Sequence, residues 1–178
     1  MEKQITTTVK VGNATVYVIV AAVLFIALFA MLSTNKGDNV SRAETNSLGS
    51  LSATENIFDF ETISMQKGKV THQFEVKNNG TQAVIIQKVY TSCMCTQAFI
   101  IDAYGKRHGA FGMQGHGGVS SPTSIRVDTG ATITVEAIFD PAAHGPSGVG
   151  LAQRSIYLET NSLSSPQLEL TFQAMVAR

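Results

Sequence analysis

The sequence predicts an all-β domain, an antiparallel β-sandwich, that is preceded by one N-terminal transmembrane helix. Three observations support this prediction. Apolar and polar residues alternate after residue 57, glycine and β-branched residues are common in the same part of the chain, and residues 14–32 form an apolar run without a charge. With 178 residues, the chain has room for one ordinary domain and extra segments.

The apolar run at residues 14–32 reads ATVYVIVAAVLFIALFAML. A helix of this length spans about 28 Å at about 1.5 Å per residue, which is close to the hydrocarbon thickness of a bilayer. The run is longer than the apolar core of most signal peptides, and residues 27–30 lack the small-x-small cleavage pattern. We therefore expect an uncleaved signal-anchor that binds the lipid bilayer, with a cleaved signal peptide as the alternative.

The orientation of this helix is predicted from the length of its N-terminal flank. Lys3 and Lys10 precede the run and Lys36 and Arg42 follow it, so the count of basic residues is nearly even on the two sides. The short tail at residues 1–13 favours a cytoplasmic N terminus in a single-pass protein of the cell membrane. The C-terminal domain is then extracytoplasmic, in the periplasm or at the cell surface.

Residues 33–55 are rich in Ser, Thr, Asn and Gly and have no hydrophobic period, so they are predicted to form a flexible linker. The β domain follows at residues 56–178. Its strand pattern is clear around Phe74, where apolar and polar side chains alternate up to the turn signal Asn78-Asn79-Gly80. The predicted strands cover residues 57–63, 70–77, 82–91, 123–128, 132–139, 154–160 and 167–176.

A series of short motifs accompanies these strands. The motifs are Phe58-Asp59-Phe60, the spacing of Gly68, Val70, His72 and Phe74, Asn78-Asn79-Gly80, Ser92-Cys93-Met94-Cys95-Thr96, Phe139-Asp140-Pro141, and Arg154 with Thr160-Asn161. Together they resemble the bacterial domain-of-unknown-function family 1573. The resemblance implies an immunoglobulin-like sandwich of the ASPM/SPD-2/hydin type in an extracytoplasmic bacterial protein, and it implies no established activity. The chain departs from simple members of this family in an insertion at residues 97–124, where we expect a functional loop.

The cysteines and the loops around them predict a metal site. Cys93 and Cys95 are separated by one residue, so both sulfurs face the same side if the strand from residue 84 continues. The insertion supplies Met113 and His116, and a second glycine-rich loop supplies His144. Thiolate, thioether and imidazole groups are the ligands that Cu(I) prefers, and a set with fewer sulfurs suits Zn(II). We therefore predict a metal site with copper as the expected ion and zinc as the alternative.

Three of these residues, and the two other histidines of the domain, also have simpler interpretations. Cys93 and Cys95 can form a short-loop disulfide in an oxidising compartment. The position of His72 on the apolar face of its strand favours a hydrogen-bonded core histidine, and the basic stretch around His108 favours a solvated loop residue. Met113 can serve as a hydrophobic plug beneath the loop.

The predicted function is a non-catalytic binding module that holds a soft metal ion outside the cytoplasm. The alternative is a structural or adhesive domain of the cell envelope that meets a protein partner, with the cysteines in a structural disulfide. A thiol oxidoreductase is the third candidate. No catalytic residue is assigned, because neither an oxyanion hole nor a third orienting group accompanies the cysteines and histidines.

Composition argues against two other classes of function. The formal net charge is zero and charged residues are sparse, which is unlike the basic surface of a nucleic-acid binder. The glycine-rich stretch GHGG is not followed by a predicted helix, so it does not indicate a nucleotide site.

Overall fold

In a computed structural model of the protein, residues 17–18, 24–25, 46–115 and 122–178 are described. The chain divides into two units, Met1–Arg42 and Ala43–Arg178.

The first unit contains the predicted transmembrane helix at residues 14–32. Of this stretch, the structure describes Tyr17, Val18, Leu24 and Phe25, and all four are helical. Among the described residues, no helix is both long enough and apolar enough to span a bilayer. The rest of the stretch lies outside the described residues, so the anchor stays a prediction.

The second unit is a sandwich of two five-stranded sheets. Its strands are β1 (Leu51–Ala53), β2 (Ile57–Ser64), β3 (Val70–Asn78), β4 (Val84–Thr91), β5 (Thr96–Ile101), β6 (Arg107–Phe111), β7 (Pro122–Val127), β8 (Thr132–Phe139), β9 (Gly150–Thr160) and β10 (Gln167–Ala177). Short 3₁₀ turns lie at Met65–Lys67 and Gly145–Gly148. The predicted all-β fold with two sheets is confirmed, and each predicted strand corresponds to one of these strands.

The strand order contains one pairing that the prediction missed. One sheet has the order β1-β3-β8-β5-β6, and the other has the order β2-β10-β9-β4-β7. The edge strand β2 pairs in parallel with β10, from Ile57 opposite Thr171 to Ser64 opposite Ala177. The prediction of a wholly antiparallel sandwich is therefore wrong at this edge. The alternation of apolar and polar residues specifies which face of a strand is buried. It is the same in parallel and antiparallel pairs, so it cannot predict the direction of a neighbouring strand.

Apolar side chains on the inner faces of both sheets form one core. Phe74 of β3 and Phe172 of β10 are fully buried. The ring centroid of Phe172 lies 5.4 Å from that of Phe139 in the opposite sheet and 5.5 Å from that of Phe60 in its own sheet. Burial of each such ring stabilises the fold by about 1.5–3 kcal/mol, so these aromatic contacts are a large part of what joins the sheets.

The predicted linker at residues 33–55 extends too far along the chain. Ser47 is 1% exposed, and its hydroxyl donates a 2.6 Å hydrogen bond to the carbonyl of Ala83. Strand β1 lies within the predicted linker and pairs with β3. The strand is three residues long and the residues before it pack through hydroxyl groups. The segment consequently has no hydrophobic period that could have predicted its order.

The predicted loop at residues 97–124 is also largely a sheet structure. Strand β5 pairs with β8, strand β6 pairs with β5, and strand β7 pairs with β4. Ala98 and Ile100 of β5 are fully buried. The insertion therefore extends the sandwich, and within it residues 116–121 lie outside the described part of the chain.

The turn at Asn78-Asn79-Gly80 carries the chain from one sheet to the other. The buried Asn78 amide donates to the carbonyls of Gln82 and Val127 at 2.8 and 3.0 Å. Its side-chain oxygen accepts from the amides of Ser50 and Gly80 at 3.1 and 3.0 Å. A side chain on Gly80 would begin 2.4 Å from the backbone of Gly49, so glycine is required there. This turn thus joins the start of the domain to both sheets.

Replacing Asn78 with Ala should lower the free energy of unfolding by about 2–4 kcal/mol, because buried backbone groups lose their hydrogen-bond partners. Urea denaturation followed by circular dichroism measures the change. Asn79→Ala is the matched control, since among the described residues the exposed side-chain amide of Asn79 bonds only the hydroxyl of Ser52. Equal losses for the two variants would contradict this account.

Candidate metal centre

The two cysteines lie in the turn between β4 and β5. Strand β4 ends at Thr91, so the expectation that Cys93 and Cys95 continue this strand is wrong. The Thr91 hydroxyl lies 3.0 Å from the Cys93 carbonyl and 3.2 Å from the Thr96 carbonyl, so its single hydrogen is shared between these acceptors in the turn. The Ser155 amide donates to the Ser92 hydroxyl at 2.9 Å, which attaches the turn to β9.

The turn brings the two sulfurs together as a disulfide. The Cα atoms of Cys93 and Cys95 are 5.2 Å apart, within the range of about 4.4–6.8 Å that a disulfide requires. The residues differ in accessibility, because Cys95 is 3% exposed whereas Cys93 is half-buried. The bonded pair agrees with the alternative interpretation of these cysteines.

His144 reaches the cysteines from the loop after β8. The backbone amide of Asp140 donates to the carbonyl of Cys95 at 2.9 Å, so the loop starts in contact with the cysteine turn. The Asp140 carboxylate accepts from the amide of Ala142 at 2.9 Å and shapes the bend that follows. The exposed His144 places Nε2 3.2 Å from the Cys93 sulfur. The ligand atoms of Cys93, Cys95 and His144 all lie within 4.8 Å of one another.

Arg154 of β9 contacts the other sulfur. It lies opposite the fully buried Phe172 of β10, on the face of the strand that also buries Ala152 and Ile156. Its Nε donates a 3.0 Å hydrogen bond to the Cys95 sulfur, and one terminal nitrogen donates to the carbonyl of Gln153 at 2.7 Å. The sequence patterns did not indicate a role for Arg154. One feature of the sequence could have indicated a role: a positively charged residue occupies an inward position on a strand whose neighbouring inward residues are apolar.

Of the other two predicted ligands, one lies beside the cysteine turn and the other lies outside the described residues. Met113 forms an isolated bridge with Thr91, two residues before Cys93, and is partly buried. His116 lies outside the described residues, so its role stays a prediction.

The other two histidines of the domain have partners elsewhere. The ring of His72 stacks on Phe58 with centroids 3.5 Å apart, and its Nε2 lies 2.7 Å from a Glu55 oxygen, as expected for a hydrogen-bonded histidine on an apolar face. His108 belongs to β6 and is not a solvated loop residue, because its Nε2 lies 2.8 Å from the Asp102 carboxylate.

The cluster can act in two chemical states. In the reduced state, two thiolates and one imidazole offer three donors, a set suited to a soft ion of low coordination number. In the oxidised state, the sulfurs bond to each other and the metal loses its thiolate ligands. The same residues therefore provide both a candidate metal site and a candidate redox pair.

Comparisons with known proteins support the fold and the family resemblance. The sequence model of DUF1573, described as a protein of unknown function, matches residues 51–104, which include the cysteine turn. The resemblance to this family is confirmed over that segment. No curated protein matches the sequence. DUF1573 has no function in its description that could be transferred to this chain.

Two solved structures are similar to this chain at low sequence identity. A protein of unknown function from Porphyromonas gingivalis W83 has a TM-score of 0.52 at 13% identity, covering 77% of this chain and 51% of that one. The chain thus spans about half the length of that protein. The ASH/PapD-like domain 7 of human CEP192 has a TM-score of 0.41 at 16% identity, covering 75% and 88% of the two chains.

Asp102 should stabilise the domain in a pH-dependent manner. The hydrogen bond from His108, with those from the amides of Lys106 and Tyr104, lowers the pKa of Asp102 below its ordinary value of 3.8. A carboxyl with a depressed pKa stabilises the fold fully above its unfolded pKa and loses this contribution as the pH falls through its folded pKa. Asp102→Asn should therefore reduce stability at pH 7, and the difference from wild type should shrink below pH 3.8. Urea denaturation across this pH range measures the difference, and one that stays constant would contradict the prediction.

Proposed function

We propose that this chain is a membrane-anchored, extracytoplasmic and non-catalytic binding module that holds Cu(I) through Cys93, Cys95 and His144. The proximity of two sulfurs and one imidazole nitrogen, all within 4.8 Å of one another, is the observation that carries the proposal. The three residues come from two loops that the sandwich brings to the same end.

The donor set favours copper over zinc. Structural zinc sites use four ligands in tetrahedral geometry, whereas the described cluster supplies three. Soft thiolate ligands select Cu(I), which accepts low coordination numbers. Zinc binding would need a fourth ligand, and Met113 and His116 remain the predicted sources of further donors.

The proposal includes the membrane anchor and the extracytoplasmic location of the domain. The apolar residues 14–32 would attach the chain to the lipid bilayer, and residues 33–45 would form the shortened linker between the anchor and the domain. This arrangement would hold the metal site outside the cytoplasm, where an envelope protein could deliver or receive the ion.

A structural role in the cell envelope is the second candidate. The bonded sulfurs of Cys93 and Cys95 favour it, because an oxidised pair offers no thiolate to a metal. In that case the cysteine turn would serve as a rigid surface for a protein partner. Intact mass before and after reduction distinguishes the two: a pair that resists reduction in the native protein and binds no metal supports the structural role.

The reduced full-length protein, purified in mild detergent, should bind one equivalent of Cu(I) in competition with a chromophoric Cu(I) chelator. Combining Cys93→Ser with Cys95→Ser should abolish binding, since both thiolates are lost. His144→Ala should weaken it by about tenfold or more, because loss of a direct ligand costs at least as much as loss of an outer contact. A parallel titration with Zn(II) tests the preference for copper.

His108→Ala is the matched control for His144→Ala, because His108 pairs with Asp102 and is absent from the cluster. It should leave Cu(I) affinity unchanged. No stoichiometric uptake by the reduced protein, or uptake that survives the double serine substitution, would reject the metal-binding proposal.

A further inference from the structure

The two sulfurs of the disulfide have unequal surroundings. Cys93 is half-buried at the surface of the turn, beside the exposed His144, whereas Cys95 is 3% exposed. A thiolate that attacks a disulfide must approach one sulfur directly, and access decides which sulfur it reaches. An incoming thiol can therefore reach Cys93 more easily than Cys95.

Arg154 contacts the Cys95 sulfur, which would become the leaving thiolate if Cys93 were attacked. Arg154 occupies an inward strand position, its side chain is partly buried, and within the described residues its guanidinium forms no ion pair with a carboxylate. Its Nε–H points at the Cys95 sulfur from 3.0 Å. A counter-charge stabilises a partly buried cation, and a neutral disulfide sulfur provides none. A Cys95 thiolate would provide it through a charge-assisted hydrogen bond.

We propose that the Cys93–Cys95 disulfide accepts two electrons from an external dithiol, with Cys93 as the attacked sulfur and Cys95 as the leaving thiolate bound by Arg154. In the first step, one thiolate of the dithiol bonds to the Cys93 sulfur, and the Cys93–Cys95 bond breaks with its electron pair on Cys95. In the second step, the other thiolate of the dithiol attacks the mixed disulfide and releases Cys93 as a thiolate. The external dithiol leaves as a disulfide, so the electrons balance.

This reaction goes beyond metal binding and does not depend on it. If the proposed function also holds, the reaction is the step that converts the resting disulfide into the metal ligands. The two ideas fail separately, because the exchange reaction is measured in metal-free buffer with a chelator, whereas the Cu(I) titration starts from protein that is already reduced.

The first experiment follows opening of the native disulfide by dithiothreitol at fixed pH, with acid quenching, alkylation and intact mass. The disulfide of the Arg154→Met variant should open about three- to tenfold more slowly than that of wild type, because the leaving thiolate loses its charge-assisted hydrogen-bond donor. Its equilibrium with glutathione should shift by roughly tenfold toward the disulfide. Arg154→Lys should recover part of both effects, since it restores the charge without the Nε donor.

Arg126→Met is the matched control, because Arg126 is exposed and pairs with Asp128. This variant should match wild type in both the rate of disulfide opening and the equilibrium with glutathione. Thermal unfolding of each variant verifies that the sandwich is retained. An Arg154→Met protein that stays folded and opens as fast as wild type would overturn the role of Arg154.

The second experiment tests which sulfur is attacked, and it needs no change at Arg154. Wild-type protein treated briefly with reduced glutathione, quenched in acid, alkylated and digested should carry glutathione on Cys93 and the alkyl group on Cys95, because the incoming thiolate attacks the accessible sulfur. In denaturant, glutathione should be found on both cysteines to a similar extent. A native mixed disulfide that forms mainly on Cys95 would reject the proposed order of attack.

Discussion

Two apolar sheet faces packed against each other are the constraint on which the rest of this domain depends. Aromatic rings such as Phe74 and Phe172 fill the space between the sheets, and they leave no water there to solvate a charge. Polar groups on inward positions must therefore find partners inside the protein. Asn78 does so with four hydrogen bonds to backbone groups. Arg154 does so with the Cys95 sulfur and the Gln153 carbonyl.

Arg154 connects the core to the chemistry at the end of the sandwich. Its Cβ lies on the inner face of β9, while its guanidinium reaches the Cys95 sulfur in the turn after β4. The loop that carries His144 joins the same turn through the bond between the Asp140 amide and the Cys95 carbonyl. The exposed imidazole consequently contacts the half-buried Cys93 sulfur, and the partly buried guanidinium contacts the sulfur of the buried Cys95. This asymmetry gives a metal-binding or redox role more support than an inert crosslink.

The sequence predicted the strands well and the site only in part. Alternation around Phe74, and in the segments that became β8 and β10, is strong because one face of each strand is buried. Strands β1, β5 and β6 were missed. Strands β1 and β6 are short and carry too few apolar residues to show a period, and the apolar residues of β5 are consecutive and do not alternate with polar ones. Of the predicted ligands, Cys93, Cys95 and His144 meet in space. Met113 pairs with Thr91 beside them, which a spacing argument could not specify.

The sequence by itself determined the all-β class, the resemblance to DUF1573 and the closeness of two cysteines separated by one residue, because each of these depends on local sequence patterns. Only the tertiary structure decided the parallel edge between β2 and β10, since both strand directions give the same alternation. It also decided the partners of the sulfurs. His144 and Arg154 lie 51 and 59 residues from the sulfurs they contact, and only the order of strands in the two sheets brings them together.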